Sequence, residues 1–110
     1  MKFITHQGDV PIYKLNKEEV KKLNFKKVKE QIVAEGEVTG HHHKVITTTP
    51  KDLIEVAEDQ NGYYIKVKGE AQLTHQEHDT QALPALKEEI YYFGKQEEYD
   101  PVEYRRKVID

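Results

Sequence analysis

The chain has 110 residues, which is enough for one domain and too few for two of ordinary size. Its 17 basic and 20 acidic residues leave a formal net charge of −3, which argues against an indiscriminate polyanion binder, and the lack of cysteine excludes disulfides and thiolate metal sites. No apolar run approaches the roughly 20 residues of a membrane helix, and no signal-peptide pattern precedes the first strand. We therefore expect a soluble, cytoplasmic protein with one domain over residues 1–110.

The first 24 residues are predicted to form two strands and a short helix. Residues 1–15 are rich in β-formers, and Gly8-Asp9 divides them with a turn. Pro11 lacks an N–H group, which favours a position at the edge of a sheet. Asn16 and Glu19 have the spacing of a helix cap, so a helix of about two turns is predicted over residues 16–24.

The middle of the chain is predicted to be extended. Residues 31–46 have the composition of one strand that is interrupted at Gly36 and Gly40. Apolar and polar residues then alternate on both sides of Asn61-Gly62, which is the strongest short signal for a hairpin turn. We therefore predict a β-hairpin over residues 53–67.

The last part of the chain is predicted to hold a strand and a second helix. Residues 90–93 are apolar and aromatic, as in a buried strand. Asp100 and Pro101 have the order of a helix cap and first helical residue, so a short helix is predicted over residues 101–108. The fold class that follows is mainly β, a small barrel or sandwich of about six or seven short strands with two short helices.

The six histidines are not scattered along the chain. His6 stands near the N-terminus, His41, His42 and His43 follow Gly40, and the remaining two are His75 and His78. The two later groups have a similar context, since each follows a Gly-Glu pair, an extended stretch and a threonine. This repeated context indicates two strand ends that carry histidines.

The spacing of these residues predicts a metal site. On a strand, residues i and i+2 lie on the same face, so His41 and His43 share one face and His75 and Glu77 share another. If the two strands are neighbours, His41, His43 and His75 converge as ligands for zinc, iron, nickel or manganese. In a catalytic site, Glu77 or His78 would then accept a proton from metal-bound water. No organic cofactor is indicated.

Two other functions fit the same residues. His75 and His78 could divide the acid and base roles of a metal-independent phosphodiesterase or nuclease, because the ordinary histidine pKa is about 6.5. The histidines could instead fill a polar core or an oligomer interface in a phage or host structural or protein-interaction module. Paired tyrosines near lysines give no strong nucleic-acid signal, and no membrane partner is expected. The sequence leaves open whether the protein is an enzyme and whether it forms homo-oligomers.

Four segments of the chain carry a resemblance. Residues 36–43, 73–78, 83–84 and 96–101 are similar to a family of small uncharacterised bacterial and phage-encoded proteins. That family has the pattern Gly-Glu-x-Thr-Gly-His-x-His, Leu-Thr-His-x-Glu-His, Leu-Pro-x-Gly-x-Tyr and Gln-x-Glu-Tyr-Asp-Pro. The resemblance implies that the family's positions are His41, His43, His75, Glu77 and His78. The chain departs from the pattern at Leu86, where glycine is expected, and the resemblance implies no activity.

Overall fold

The chain folds into two antiparallel β-sheets. The computed structural model describes residues 1–20, 22–35, 40–49 and 51–95. Their elements are β1 (Lys2–Gln7), β2 (Val10–Asn16), a 3-10 turn (Lys17–Val20), β3 (Lys26–Val28), β4 (Glu30–Glu35), β5 (His42–Thr47), β6 (Ile54–Glu58), β7 (Gly62–Lys66), β8 (Ala71–Thr74), β9 (Gln81–Leu83) and β10 (Glu89–Gly94). Sheet A has the order β1-β2-β10-β7-β6-β3, and sheet B has the order β4-β5-β8-β9.

The two sheets share one apolar core. Fully buried side chains come from both of them, including Ile12 and Phe93 of sheet A and Val45 and Leu73 of sheet B. The mainly-β class predicted from the sequence is confirmed. The predicted barrel is wrong, because each sheet is open and ends in two edge strands. The predicted number of strands is too low, since the described residues alone form ten.

The first predicted helix is wrong in kind and length. Residues 17–20 form a single 3-10 turn, although Asn16 does cap it by accepting a hydrogen bond from the Glu18 N–H at 2.8 Å. Of this turn only Val20 is buried, so little packing offsets the cost of starting a helix. The described residues contain no α-helix, and their single 3-10 turn is far too short to cross a membrane. The helix predicted over residues 101–108 lies outside the described residues.

The strand predicted over residues 31–46 is two strands of a hairpin. β4 and β5 pair antiparallel, with Ala34 opposite His43. Gly40 has a φ of +88°, a backbone conformation that glycine adopts without steric cost. The chain therefore reverses its direction between β4 and β5, whereas one interrupted strand was predicted.

Pro11 does not lie at the edge of its sheet. β2 stands between β1 and β10, so β1 is the edge strand. β10 pairs with β2 only from Tyr13 to Asn16, and Pro11 lies beyond that stretch. Its missing N–H therefore falls outside the ladder with β10, which explains how a proline is tolerated in an inner strand.

The pairing of sheet B positions the histidines. The hairpin predicted over residues 53–67 is confirmed as β6 and β7, but the histidines lie elsewhere, around β5 and β8. These two strands pair antiparallel with Lys44 opposite Thr74. One step toward the start of β5 leads to His43, and one step past the end of β8 leads to His75. The two predicted histidine groups therefore meet at one end of sheet B.

Candidate functional site

Four imidazole rings gather where β5 begins and β8 ends. The ring centres of His43 and His75 are 4.3 Å apart, and those of His41 and His75 are 5.8 Å apart. His78 lies 4.6 Å from His75 and 5.9 Å from His43. His43, His75 and His78 therefore form a closed triangle of rings, and His41 stands beside it. The predicted convergence of these residues is confirmed, while their roles as ligands or catalysts stay predictions.

The turn between β1 and β2 makes room for His78. Gly8 has a φ of +59°, and a Cβ atom at this position would lie 2.5 Å from the His78 Nε2 atom. A side chain at residue 8 would therefore collide with the ring and would also strain the backbone. The absence of a side chain lets the loop that carries His78 close against sheet A.

Gln7 and His43 are the buried polar residues of the described chain, with exposed fractions of 2% and 5%. The Gln7 Nε2 atom donates to the carbonyl oxygens of Leu73 at 2.8 Å and Asp79 at 2.9 Å. Its Oε1 atom lies 2.9 Å from His43 Nδ1. Because both amide hydrogens go to carbonyl oxygens, the amide oxygen faces the ring and must accept a hydrogen bond from it. Nδ1 of His43 therefore carries the proton, and Nε2 has a free lone pair.

Two of the rings lose basicity in this environment. Burial, together with the neighbouring rings of His75 and His78, lowers the pKa of His43 from 6.5 to about 4. The pKa of His75 is also lowered, first by burial and then by His78 and His41. Both rings are therefore neutral at neutral pH, which is the form that binds metal ions.

His75 and His41 both face Glu77. The Glu77 backbone N–H donates to His75 Nδ1 at 3.0 Å, so the proton of the neutral His75 ring is on Nε2. The His41 Nδ1 atom is buried without a hydrogen-bond partner, and it lies 3.6 Å from the Glu77 carboxylate. This separation is too long for a hydrogen bond but close to the roughly 3.4 Å between two ligand atoms of a tetrahedral zinc ion.

A second glutamine fixes the start of β5. Gln76 Oε1 accepts a hydrogen bond from the His42 N–H at 2.9 Å, and its Nε2 atom donates to the Gly40 carbonyl at 3.5 Å. The ring of His42 does not join the cluster of four rings. His6 is also apart, since its Nδ1 atom donates to the Gly8 carbonyl and its ring contacts Phe3.

The sequence analysis missed the residues that hold the cluster together, namely Gln7, Gly8 and Gln76. Glycine before an aspartate was interpreted as a turn, and the turn is present, but nothing indicated its contact with His78. The hydrogen bonds of Gln7 to Leu73 and Asp79 join residues 66 and 72 positions apart. Spacing along the chain carries no signal at such separations.

As the side chains stand, the described residues contain no group of three or more His, Asp or Glu side chains arranged to hold a metal ion. In addition, the Nδ1 lone pair of His75 is taken by the Glu77 N–H, so its Nε2 carries the proton. A metal would bind His75 Nε2 only after the proton moved to Nδ1.

The chain belongs to a protein family described as a domain of unknown function (DUF8820), which matches residues 6–85. The matched segment begins at His6, so it contains Gln7 and Gly8 together with all four rings of the cluster. No curated protein matches the chain, and no solved structure does.

Proposed function

We propose that the protein binds a divalent transition-metal ion at the histidine cluster. The observation that carries this proposal is the triangle of His43, His75 and His78. An imidazole bound at about 2.1 Å has its ring centre about 3.2 Å from the ion, so two ligands of a tetrahedral ion have ring centres about 5 Å apart. The three separations of 4.3, 4.6 and 5.9 Å lie around this value.

His43 is the anchor of the proposed site. Its Nδ1–H donates to an amide oxygen, and its Nε2 lone pair is free. Histidine ligands in metalloproteins have this arrangement, in which an outer oxygen fixes the tautomer and the other nitrogen binds the ion. No hydrogen bond joins two rings of the cluster in the described chain. A bound cation would therefore be a common partner for ring nitrogens that do not bind one another.

The proposed ligand set differs from the one predicted from sequence, which was His41, His43 and His75. The ring distances favour His78 as the third ligand, and the buried Nδ1 of His41 with the Glu77 carboxylate then offers the fourth position. Recruiting His75 breaks its hydrogen bond with the Glu77 N–H, at a net cost of about 0.5–1.5 kcal/mol. A nitrogen-rich set of this kind selects zinc, nickel or cobalt over magnesium and calcium.

Hydrolysis is the second candidate function, and the place of the His41–Glu77 pair favours it. If water occupies the fourth position of the ion, the pair lies beside it and can accept the proton as the water attacks a substrate. Glu77 keeps the role of base that the sequence suggested for it, whereas His78 becomes a ligand.

The proposed site lies within the part of the chain that matches the family. The segment that matches the family includes every residue of the proposed site. We therefore expect other members to bind a metal at the corresponding positions.

The test is metal titration of protein that has been purified without a nickel column and treated with chelator. Calorimetry with zinc, nickel, cobalt and manganese should give one ion per chain for at least one of these metals. Cobalt(II) should show the intense visible absorption of a tetrahedral site. Magnesium at the same concentration should give no heat.

Two variants decide whether the cluster is responsible. His43→Ala removes the anchor and should abolish binding. His42→Ala is the matched control, because the residue is adjacent and its ring lies outside the cluster, and it should bind like the parent protein. Equal binding by His43→Ala and the parent, or no binding of any of the four metals, would overturn the proposal.

A further inference from the structure

We infer that Gln7 is the positioning residue of the histidine site, because its side chain sets the tautomer of His43 and holds both ends of the loop that carries His75 and His78. The consequence for metal affinity depends on the proposed function, whereas the tautomer itself does not. Gln7 lies on β1, in the sheet opposite to the histidine cluster, and its side chain hydrogen-bonds to one candidate ligand, His43.

The amide of Gln7 has one orientation that satisfies its surroundings. Its Nε2 atom faces the carbonyl oxygens of Leu73 and Asp79, and its Oε1 atom faces His43. Rotating the amide by half a turn would put an oxygen against two oxygens. With 2% of the residue exposed, water cannot replace the lost partners. The direction of the amide is therefore fixed, and with it the proton on His43 Nδ1.

The same amide closes the loop. Leu73 precedes His75 in the chain and Asp79 follows His78, so the two carbonyls that Gln7 binds stand on either side of both rings. One side chain thus joins the entry and the exit of the loop. This contact keeps the rings over His43 and supports the short ring distances of the cluster.

The tautomer matters for binding because a histidine has one free lone pair when it is neutral. With the proton on Nδ1, the Nε2 atom of His43 has a lone pair that can bind a metal. With the proton on Nε2, that atom has no lone pair to offer. Loss of such an outer-shell partner costs about 10–100-fold in metal affinity in other metal sites.

The first measurement uses the parent protein without metal. Long-range proton–nitrogen correlation spectra of protein with ¹⁵N-labelled histidine distinguish the two tautomers. His43, assigned by through-bond correlation of its ring with its own backbone resonances, should show a protonated Nδ1 and a bare Nε2. A protonated Nε2 would overturn the inference, whatever the protein binds.

The second measurement separates the two tasks of Gln7. Gln7→Met has a similar volume and no polar atoms, so it should lose the fixed tautomer and weaken cobalt(II) binding by about tenfold or more. Gln7→Glu keeps an oxygen for His43 Nδ1–H, but its carboxylate cannot donate to the Leu73 and Asp79 carbonyls. It should therefore lose the hold on the loop, retain the tautomer and bind cobalt(II) more tightly than Gln7→Met. Gln31→Met is the control, because the Gln31 side chain donates an exposed hydrogen bond to the neighbouring Ile32 carbonyl, and it should leave the tautomer of His43 unchanged.

The outcomes separate the inference from the proposed function. A fixed Nδ1–H tautomer in Gln7→Met would overturn the inference even if the protein binds metal. A tautomer that follows Gln7 as expected, in a protein that binds none of the metals, would contradict the proposed function and leave the inference standing. The spectrum of the parent protein gives its answer without depending on the folding of any variant.

Discussion

Two regions of the molecule use side-chain hydrogen bonds to hold backbone in place, and they do so over very different distances. In the turn between β6 and β7, Asp59 Oδ1 accepts from the N–H groups of Asn61 and Gly62, and Oδ2 accepts from the Tyr64 hydroxyl. All of these partners are within five residues. At the histidine site, Gln7 binds partners that are 36 to 72 residues away.

The difference decides what each region depends on. The Asp59 turn can form as soon as its own few residues come together, because its bonds close short loops of low entropic cost. The bonds of Gln7 exist only when sheet A has packed on sheet B. The hairpin turn is therefore a local element, whereas the histidine site is a product of the complete fold.

Removing Gln7 should give the largest loss of stability. Gln7→Met deletes three hydrogen bonds and leaves the buried Nδ1–H of His43 and the Leu73 carbonyl without their partner, so we expect a loss of about 3 kcal/mol in the free energy of unfolding. Urea unfolding in the presence of chelator measures it. A smaller loss than that caused by Asp59→Ala would show that the stability depends less on Gln7 than on the hairpin turn.

The second effect in size is expected from acid, which should lower the stability of the fold through the histidine site. Folding lowers the pKa of His43 from 6.5 to about 4, so the unfolded chain binds a proton in this range that the folded chain does not. The stability is therefore complete above pH 6.5 and falls as the pH drops toward 4, by up to about 3 kcal/mol for this group. Urea unfolding with chelator between about pH 7 and pH 5 should show the slope.

A matched pair of variants assigns this slope. His43→Gln removes one titrating ring and should reduce the slope to the share that His75 contributes, whereas His42→Gln should keep nearly all of it. A parent profile that is flat over the same range would show that folding does not lower the pKa of His43, contrary to its buried position.

The smallest effect is expected at the hairpin turn. Asp59→Ala removes three partly exposed hydrogen bonds and should lower the free energy of unfolding by about 1 kcal/mol, because water can replace part of what is lost. Burial and the contact with Asp59 together raise the pKa of Tyr64 to about 12, so ultraviolet titration should show a lower Tyr64 pKa in the variant.

Asp59→Asn is the control for this change, since its amide oxygen can still accept from the backbone N–H groups. It should retain most of the stability, and both variants should leave the His43 tautomer unchanged. A change of that tautomer in either would show that the turn and the site are coupled.

The parts of the fold that could be predicted from sequence are those with short-range causes. The hairpin of β6 and β7 was predicted correctly, although neither Asn61 nor Gly62 has the positive φ of a two-residue Asn-Gly turn, and the nearby Asp59 side chain holds the turn instead. The cap at Asn16 is correct because its hydrogen bond is local. The helix after Asn16 was wrong because its length depends on packing, which leaves only Val20 buried there. The hairpin of β4 and β5 was missed because glycine permits a bulge and a reversal equally well.

The site was predictable to a similar limit. The repeated context correctly suggested that His75 lies near His41 and His43, although His41 stands just before the first residue of β5. Which ring completes the triangle, and on which nitrogen each proton lies, depend on Gln7 and on the Glu77 backbone N–H. These contacts arise from the way the loop folds over β5, and the residue types alone do not predict them.

The reach of Gln7 also bears on the order of events in folding. Contacts between residues far apart in the chain must overcome the entropy of closing a long loop, so they form late. During synthesis, β1 emerges first, while Asp79 follows 72 residues later. At about 5–20 residues per second, the ribosome leaves Gln7 without these partners for several seconds. A metal ion that needs the completed cluster would then bind the finished fold and stabilise it, rather than nucleate it.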